Sequence, residues 1–477
     1  MRKIKRSKDS IINDKFILNL IEEHKAESLR LQELYDYFNN ENKILKRKYN
    51  DTSGNKPQNR LSHPYADYIV TIATGYLLGK PVIYTTEDKG MLEELMKVFK
   101  YNDESDNNST LAKYASIYGY SYELLYADEQ ANVRFKAVDP KELIVVYDNT
   151  LEENVLLAIR YYNEDIVNSD GEKEEVTMIN IHTKPILDQT GNKIVKFGEV
   201  IYYIKKDDGL KELKREDHKF FDVPVVIYIN NDELYGDFEK VMTLIDAYDK
   251  TGSDTANDFE MFTHAMLVIS GEIVDSEDQE NIKEKYLINF SDEEGKAYYL
   301  IKDIQDAALE NYKNRLDNDI HKFSCIPNLS DENFAGNSSG VGLQFKLTTL
   351  ENKISVKESK FKKGLMKRIE LISHFLGIKK GDEYKYIDVE PVFTRAKPQN
   401  ELEISDIMMK LTGILSEETI ISLFPKITDA QAEMKRKRKE ENNNFDNYNT
   451  IEDDDNDVNI AENKQKQGVT ADEEKDE

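Results

Sequence analysis

Apolar residues spaced at steps of three and four dominate the first part of the chain. They predict amphipathic helices over residues 11–38 and 63–78. Gly79 and Pro81 follow the second segment and should end it. A third helix is expected over about residues 107–118. The N-terminal part is therefore predicted to be helical.

The pattern changes after residue 119, where short apolar runs are separated by Asp, Asn, Gly and Pro. Runs rich in aromatic and β-branched residues are typical of strands. They read YSYELLYA, VRFKAV, LIVVYD, VLLAIRYYN, VTMINIHT, EVIYYIKK and VPVVIYIN. We expect them to form a mainly antiparallel sheet that ends near Asn230.

Helical periodicity returns at Asp237. About 30 residues follow without proline, which predicts a helix of roughly 45 Å with Gly252 as its weak point. Strand-like runs then flank an acidic piece, SEDQENIKE, and another helix is expected from about Asp303. Two long helices around a small αβ insert predict an antiparallel stalk with a compact head.

A glycine-rich stretch, NFAGNSSGVGLQFK, opens the last third of the chain. The apolar stripe from Leu343 to Leu376 predicts a helix of about 35 residues, roughly 50 Å long. A strand-like YKYIDVEPVF and three short helical segments between Asn400 and Lys439 follow. These patterns together predict an α+β fold.

The chain is strongly acidic. It has 65 Lys and Arg against 92 Asp and Glu, for a net charge of −27. Residues 440–477 hold 14 of the acids and three of the bases, and Asn and Asp dominate there, so we expect a disordered acidic tail. The rest of the chain is net acidic as well. Binding to nucleic acid through a general positive charge is therefore excluded, and any DNA contact must be local.

The cysteine count and the apolar runs restrict the class of protein further. Cys325 is the only cysteine, so the sequence offers no intrachain disulfide and no zinc site built from several thiolates. The apolar run YIVTIATGYLLG is shorter than the about 20 residues that span a bilayer. Asp14 and Lys15 interrupt the apolar part of a signal-peptide-like start. We expect a soluble protein without a membrane partner, made inside a cell.

The glycine-rich stretch does not have the pattern of a nucleotide loop. A Walker-type loop requires GxxxxGK followed by Ser or Thr. Here Gly340 is followed by Val341, and Lys346 comes about a helical turn too late. No GxGxxG fingerprint is present either.

Two interpretations of this stretch remain open. Small polar residues between two long helices suit a mobile hinge. Backbone N–H groups and the side chains of Asn337, Ser338 and Ser339 could also contact phosphates without sequence preference.

The helix after the stretch is rich in cations. It carries Lys346, Lys353, Lys357, Lys360, Lys362, Lys363, Lys367 and Arg368 against Glu351, Glu358 and Glu370. These cations could form a solvated face or inter-subunit ion pairs, or they could face a polyanion.

The stalk helix has the opposite charge balance. Its acids are Asp246, Asp249, Asp254, Asp258 and Glu260. Paired carboxylates could hold Mg²⁺ for nuclease chemistry, but scattered acids on a long helix are usually solvated. The seven histidines show neither HxH nor HExxH spacing. We therefore predict no catalytic residues, no metal and no cofactor.

The order of the parts and several phrases resemble the portal proteins of tailed bacteriophages, in particular the portal family of long-tailed phages of Gram-positive hosts. The phrases are NRLSHPYADYIVTIATGYLLGKPV, VDPKELIVVYD, DFEKVMTLIDAYDKTGSDTANDFEMF and LENKISVKESKFKKGL. The resemblance covers roughly residues 15–440, and its specificity lies in the order and spacing of the phrases.

The resemblance implies a portal fold with a wing, a stem, a clip and a crown. The wing would comprise residues 1–237 and a later helix and strand at 343–397, and the stem helices would be 238–267 and 305–326. The clip would be 268–304, the tunnel loop 330–342, and the helical crown 398–439, followed by the tail at 440–477.

The resemblance also implies a function and a set of contact residues. The protein would form a homo-oligomeric ring of about 12 copies at one capsid vertex of the virion, assembled in the host bacterial cytoplasm. Double-stranded DNA would pass through the channel during packaging and ejection. The DNA-facing tunnel loop would present Asn333, Gly336, Asn337, Ser338, Ser339 and Gly340, and Lys346, Lys353 and Lys357 would contact DNA or a neighbouring subunit.

Further partners follow from the same resemblance. Asp275, Glu277, Asp278 and Glu280 of the clip would form a docking surface for the terminase large subunit and later for a head-completion adaptor. The scaffold and the major capsid protein would be other partners. Two alternatives stay open: a Mg²⁺-dependent nucleic-acid-processing enzyme that uses the acids of helix 238–267, and a different virion ring such as an adaptor.

Overall fold

A computed structural model describes most of the chain. The described residues are 3–49, 57–167, 171, 173–188, 194–206, 209–262, 266–270, 296–300, 306–329, 340–381, 384–395, 401–422, 424, 427 and 430–440. The chain divides into two units, residues 1–396 and 397–477.

Four helices precede most of the β-structure. They are α1 (Asp14–Phe38), α2 (Tyr65–Leu78), α3 (Lys89–Tyr101) and α4 (Glu104–Tyr118). Asn13 caps α1, since its Oδ1 accepts from the N–H of Phe16 at 2.9 Å. Gly119 ends α4 at φ 91°, where a Cβ would collide with the carbonyl of Leu234. The three helices predicted from periodicity are present with shifted ends, whereas α3 was not predicted.

The strands between residues 120 and 230 fall close to the predicted runs. In chain order, with two short strands near the termini, they are β1 (Ile4–Lys5), β2 (Ile83–Thr85), β3 (Tyr120–Ala127), β4 (Val133–Val138), β5 (Leu143–Tyr147), β6 (Val155–Val167), β7 (Lys173–Thr183), β8 (Ile186–Leu187), β9 (Ile194–Lys196), β10 (Glu199–Lys206), β11 (Gly209–Asp217) and β12 (Val225–Ile229). The polar strand β11 was not predicted. The runs form two main sheets instead of one.

The larger sheet has six strands in the order β1-β5-β6-β7-β10-β11. All its pairs are antiparallel except β1 with β5. One face packs on α1, where Ile17 and Leu20 meet Ile159, Ile181 and Ile201. The smaller sheet is antiparallel, in the order β12-β3-β4.

The helix predicted from Asp237 is shorter than expected. A 3₁₀ turn at Glu239–Val241 leads into α5 (Met242–Phe262), and the strand β13 (Met266–Ser270) already contains the last residue of the expected helix. β13 pairs antiparallel with β14 (Lys296–Leu300). The chain then enters α6 (Asp306–Ser324), which packs against α5.

The predicted long helix is α7 (Gly340–Lys380), and it is longer than expected, with 41 residues. It crosses the smaller sheet, where Phe361 packs against the ring of Tyr228 at a centroid distance of 4.8 Å. Gly364 allows this approach, because a Cβ there would lie within 3.0 Å of three atoms of the Tyr228 ring. The strand β15 (Glu390–Val392) follows and pairs with β2.

The second unit is helical where it is described. It contains α8 (Glu401–Leu411), α9 (Glu417–Ser422) and a helical segment at 430–440. This agrees with the three short helices expected there. In neither unit does a described helix have the length and apolarity needed to cross a bilayer.

Candidate functional site

Most of the expected contact residues lie outside the described residues. This holds for Asn333, Gly336, Asn337, Ser338 and Ser339 of the glycine-rich segment and for Asp275, Glu277, Asp278 and Glu280 of the insert. Gly340, expected in the tunnel loop, is the first residue of α7. We therefore describe the two parts of the chain that flank residues 330–339, namely residues 327–329 before them and the first turns of α7 after them. We call these parts the two chain stems, which are distinct from the stem helices of the portal fold.

The stem before the segment is tied to α2 through one tyrosine. The Tyr68 hydroxyl donates to the carbonyl of Pro327 at 3.0 Å and accepts from the N–H of Leu329 at 2.9 Å. One side chain thereby satisfies two backbone groups of a loop. The last described residue before the segment thus has a fixed position relative to α2.

The carboxylate of Asp317 on α6 supports the same stem. Its Oδ1 accepts from the Tyr65 hydroxyl at 2.6 Å, and its Oδ2 lies 3.5 Å from Nδ2 of Asn328. The carboxylate lines a cavity of about 260 Å³ together with Tyr65, Tyr68 and His321. Side chains of α2 and α6 therefore meet directly beneath the stem.

The stem after the segment is α7, which is held by Lys353 and Lys357. Lys353 Nζ donates to the carbonyl of Ser324 at the end of α6 at 2.8 Å and lies 3.1 Å from Oδ1 of Asp237. Lys357 Nζ lies 2.7 Å from Oδ2 of Asp237 and also contacts the Ser116 hydroxyl. The two stems are thus connected through Lys353.

The carboxylate of Asp237 is almost fully buried, with 1% of its side chain exposed. Burial by itself would raise its pKa, but the ammonium groups of Lys353 and Lys357 and the amide of Asn230 outweigh burial and hold the pKa well below its usual range. Burial lowers the pKa of Lys357, and Asp237 opposes this change. Asp237 therefore stays ionised at neutral pH, and its negative charge compensates the positive charge of the buried Lys357.

The structure thus places two of the three expected lysine contacts inside the chain. Lys357 has 2% of its side chain exposed and Lys353 has 20%. We expected these two lysines to contact DNA or a neighbouring subunit. In the structure their ammonium groups contact Asp237 of the same chain instead. Lys346 lies half-buried in the second turn of α7.

The cationic face expected on α7 is largely occupied by internal partners. Arg368 is fully buried, and its guanidinium contacts Glu123 at 2.7 Å, Glu104 at 3.3 Å and Asn108 at 2.8 Å. Burial would lower the pKa of Arg368, but Glu123 and its other neighbours outweigh this and raise it. Lys360, Lys362 and Lys367 pair with Asp232, Glu390 and Asp222. Most of these cations therefore join α7 to the rest of its unit.

The acids of α5 are also paired with other protein groups. Asp249 is fully buried and accepts from the backbone N–H of His63 at 2.9 Å, from His63 Nδ1 at 2.7 Å and from Asn42 at 2.6 Å. Asp254 pairs with Arg47 at 2.6 Å. Among the described residues, no three His, Cys, Asp or Glu side chains come together in a way that could hold a metal ion. The acids of α5 therefore act as anchors for residues 42–47 and 59–63.

Sequence reasoning missed Tyr68, Asp237 and Asp317 as the residues that position the segment. In the sequence, Asp237 marks only the start of a helical pattern, and Tyr68 falls only within the predicted helix 63–78. No local motif marks such residues, since their partners lie far away in the sequence.

Together these elements define a class of protein: an α+β chain in which two packed helices bracket an antiparallel pair of short strands, and a long helix follows a glycine-rich segment. Residues 17–445 match the family model described as "Phage portal protein, SPP1 Gp6-like". The chain belongs to this family of phage portal proteins.

Two curated relatives are similar over nearly the whole chain. The portal protein of Bacillus phage SPP1 is 25% identical over 452 residues, which cover 88% of this chain and 85% of the relative. The portal protein of Clostridium phage phiCD119 is 27% identical over 453 residues, which cover 89% of this chain and 97% of the relative. Both phages infect Gram-positive hosts.

Membership confirms the expected family and the α+β portal fold. Portal proteins are structural, non-enzymatic components of the phage virion. The alternative of a Mg²⁺-dependent enzyme is therefore wrong.

Proposed function

We propose that this chain assembles into a ring of about twelve copies at one vertex of the capsid and that DNA passes through the centre of the ring. The family match over residues 17–445 supports this proposal. That match is the observation that carries it, and the connection of the two stems supports the part that concerns the loop, since Lys353 joins the end of α6 to α7 and Tyr68 fixes Leu329. A loop attached to fixed stems can project a short, defined distance from the body of the subunit.

In this ring, α5 and α6 form the stem of the channel and residues 268–304 form the clip. The segment 330–339 is the tunnel loop, with Asn333, Gly336, Asn337, Ser338 and Ser339 facing DNA and Gly340 at its junction with α7. Of the three lysines, Lys346 keeps the expected role of contacting DNA or a neighbouring subunit, whereas Lys353 and Lys357 hold the loop in place. The crown comprises residues 398–439.

The electrostatics suit a channel through which DNA slides. A net charge of −16 over residues 1–439 of each copy makes most of the ring repel DNA. Repulsion by the walls prevents DNA from being held by many ion pairs, while uncharged loop groups contact phosphates without regard to sequence. The charge of the chain therefore favours passage over tight binding.

The partners follow from the place in the virion. Asp275, Glu277, Asp278 and Glu280 of the clip form the docking surface for the terminase large subunit during packaging and for the head-completion adaptor afterwards. The scaffold and the major capsid protein surround the ring in the capsid. Assembly takes place in the cytoplasm of the host bacterium.

The mass of the purified full chain in solution, measured together with negative-stain images, tests the proposal. We expect particles of about twelve times 55.4 kDa with a central hole. If the chain alone stays monomeric, co-expression with its scaffold should produce the ring. A chain that stays monomeric under both conditions, or forms only a compact closed oligomer without a hole, would contradict it.

A further inference from the structure

The two main sheets enclose a cavity of about 760 Å³. It lies on the face of the six-stranded sheet that is opposite to α1. Cross-strand pairing places Arg160, Asn180 and Tyr202 in one row and His182 and Val200 in the next row of this face. All five residues line the cavity, and β3 and β4 of the smaller sheet form the opposite wall.

Four polar side-chain atoms of this wall lack a hydrogen-bond partner among the described residues. They are both ring nitrogens of His182, Oδ1 of Asn180 and Nε of Arg160. His182 is 5% exposed and Asn180 is 9% exposed. Buried polar groups in folded proteins are nearly always hydrogen-bonded, so this constellation is unusual for a wall that only packs.

The charged groups of the same wall behave differently. Arg160 Nη2 lies 3.2 Å from Glu142, Lys219 lies 2.8 Å from Asp217, and Glu216 lies 2.5 Å from Lys214. Because these charges are paired with one another, the cavity offers no net attraction to a polyanion. The groups left to recognise a ligand are the imidazole of His182, the amide oxygen of Asn180 and Nε of the paired Arg160.

These groups define the class of ligand. A neutral imidazole offers one donor and one acceptor, the amide oxygen of Asn180 is an acceptor, and Nε of Arg160 is a donor. A peptide backbone presents the same mixture of donors and acceptors. The cavity volume falls in the range of about 300–1,000 Å³ that is common for ligand sites.

The strands around the cavity also suit an extended peptide. β11 is an edge strand of the larger sheet and contributes Glu216 and Asp217 to the wall. Edge strands have backbone N–H and C=O groups without a strand partner, which can pair with an added extended segment.

We propose that this cavity binds an extended peptide segment of a second copy of the chain. The proposal rests on the proposed function, because in a ring the neighbour of each chain is another copy of it. The segment inserts between the two sheets, where its backbone groups pair with His182, Asn180 and Arg160. The contact would add to the cohesion of the ring.

Photocrosslinking in the full-length ring tests this directly. A p-benzoylphenylalanine placed at Tyr202, on the cavity wall, should give crosslinks between two chains, and the crosslinked peptide can be identified by mass spectrometry. The matched control is the same replacement at Tyr203, the next residue of β10, whose side chain lies on the opposite face of the sheet against α1. We expect no inter-chain crosslink from Tyr203. Crosslinks from Tyr202 that stay within one chain, or none at all, would overturn the proposal.

A second variant tests the polar groups without filling the cavity. His182→Leu removes both ring nitrogens, and Glu164→Gln on the exposed end of β6 is its control. If the cavity holds only ordered water, the variant should form rings as stably as the wild type. We expect instead that the variant ring is weaker: on dilution it should dissociate at a protein concentration about tenfold higher than the wild-type ring does. The melting curve of the isolated chain should be unchanged.

The outcomes separate this proposal from the proposed function. If the wild type and His182→Leu form rings equally well and Tyr202 gives no crosslink between chains, the peptide site is overturned. The proposed ring is not affected by that result. A wild-type chain that forms no ring, with or without scaffold, overturns both.

Discussion

Lys357 of the long helix α7 and Asp237 of the segment between β12 and α5 form an ion pair with an Nζ–Oδ2 distance of 2.7 Å and almost no exposure to solvent. The two residues are 120 positions apart in the sequence. The pair fixes α7 at a point 17 residues after it begins, and Lys353 connects the same carboxylate to the end of α6. The position of the glycine-rich segment therefore depends on one buried aspartate.

Removal of one member of this pair should be strongly destabilising. In Asp237→Asn the ammonium group of Lys357 remains buried without its counter-charge, which typically costs about 3–5 kcal/mol. We expect a loss of this size in the free energy of unfolding, measured by urea denaturation. Lys360→Met is the matched control on the same helix, because its partner Asp232 is 73% exposed and such pairs contribute about 1 kcal/mol or less. Equal losses in the two variants would contradict the assigned role of Asp237.

Two glycines in helices allow a matched test of the packing of α7. Gly364→Ala would push a methyl group into the Tyr228 ring, and overpacking of this kind costs about 1–3 kcal/mol. Gly75→Ala in α2 meets no atom within 4 Å, so it should stabilise the protein by about 0.5–1 kcal/mol through helix propensity. Thermal unfolding of the two variants should therefore shift in opposite directions. A Gly364→Ala variant as stable as the wild type would show that α7 does not approach the sheet so closely.

The guanidinium group of Arg368 should not be replaceable by an ammonium group. Arg368→Lys keeps the charge but cannot contact Glu123, Glu104 and Asn108 at the same time. Each buried acceptor left without a donor costs about 1–3 kcal/mol, so we expect a loss of at least about 2 kcal/mol in urea denaturation. Arg436→Lys, at a side chain that is 74% exposed, should change stability by less than about 0.5 kcal/mol. If the two exchanges had the same effect, the buried network would not need the planar group.

The strands were predictable because each carries its own signal. Runs such as LIVVY and EVIYYIKK are apolar, β-branched and bounded by turn residues, and they form β5 and β10. β11 was missed because GLKELKRED has no apolar alternation, and only pairing with β10 makes it a strand. The division of the strands into two sheets depends on long-range pairing, which no local pattern encodes.

The same reasoning explains the cations of α7. A lysine every few residues has the pattern of a solvated face, and the sequence alone could not reveal that Lys357 and Arg368 meet Asp237 and Glu123 in the interior. The carboxylates lie on other elements, more than a hundred residues earlier. The family was recognisable because it depends on the order of whole segments, whereas the anchoring contacts depend on tertiary structure.

His24 should make the stability of the chain depend on pH. Burial lowers the pKa of His24 to about 4, and Glu27 opposes this only in part. The unfolded chain, with an ordinary pKa near 6.5, therefore binds more protons than the folded chain between about pH 6.5 and 4. Stability should fall with decreasing pH in this window, by up to about 1.4 kcal/mol per pH unit for this one residue.

His24→Gln isolates the contribution of this residue. The amide cannot take up a proton, so the variant should lose stability less steeply than the wild type between about pH 6.5 and 4 in urea denaturation. Lys363→Gln, at an exposed position of α7, is the control. A slope that is the same in the wild type and in His24→Gln would show that this histidine is not held neutral by burial.

The glycine-rich segment can be tested for contact and for mobility separately. Deletion of Asn337, Ser338 and Ser339 should leave the ring intact. The contacts that fix Leu329 and Lys353 do not involve the deleted residues. We expect phage particles with this deletion to contain less DNA, as measured by genome quantification in purified heads. Normal DNA content in the deletion variant would remove the assigned role of the loop.

Replacement of the same three residues by glycine separates the two interpretations that the sequence leaves open. The glycine variant keeps the length and mobility of the segment but removes its hydroxyl and amide groups. If the segment acts only as a hinge, the variant should package DNA normally. If its side chains contact phosphates, as we expect, the DNA content should fall toward that of the deletion, because the remaining backbone N–H groups supply only part of the contact.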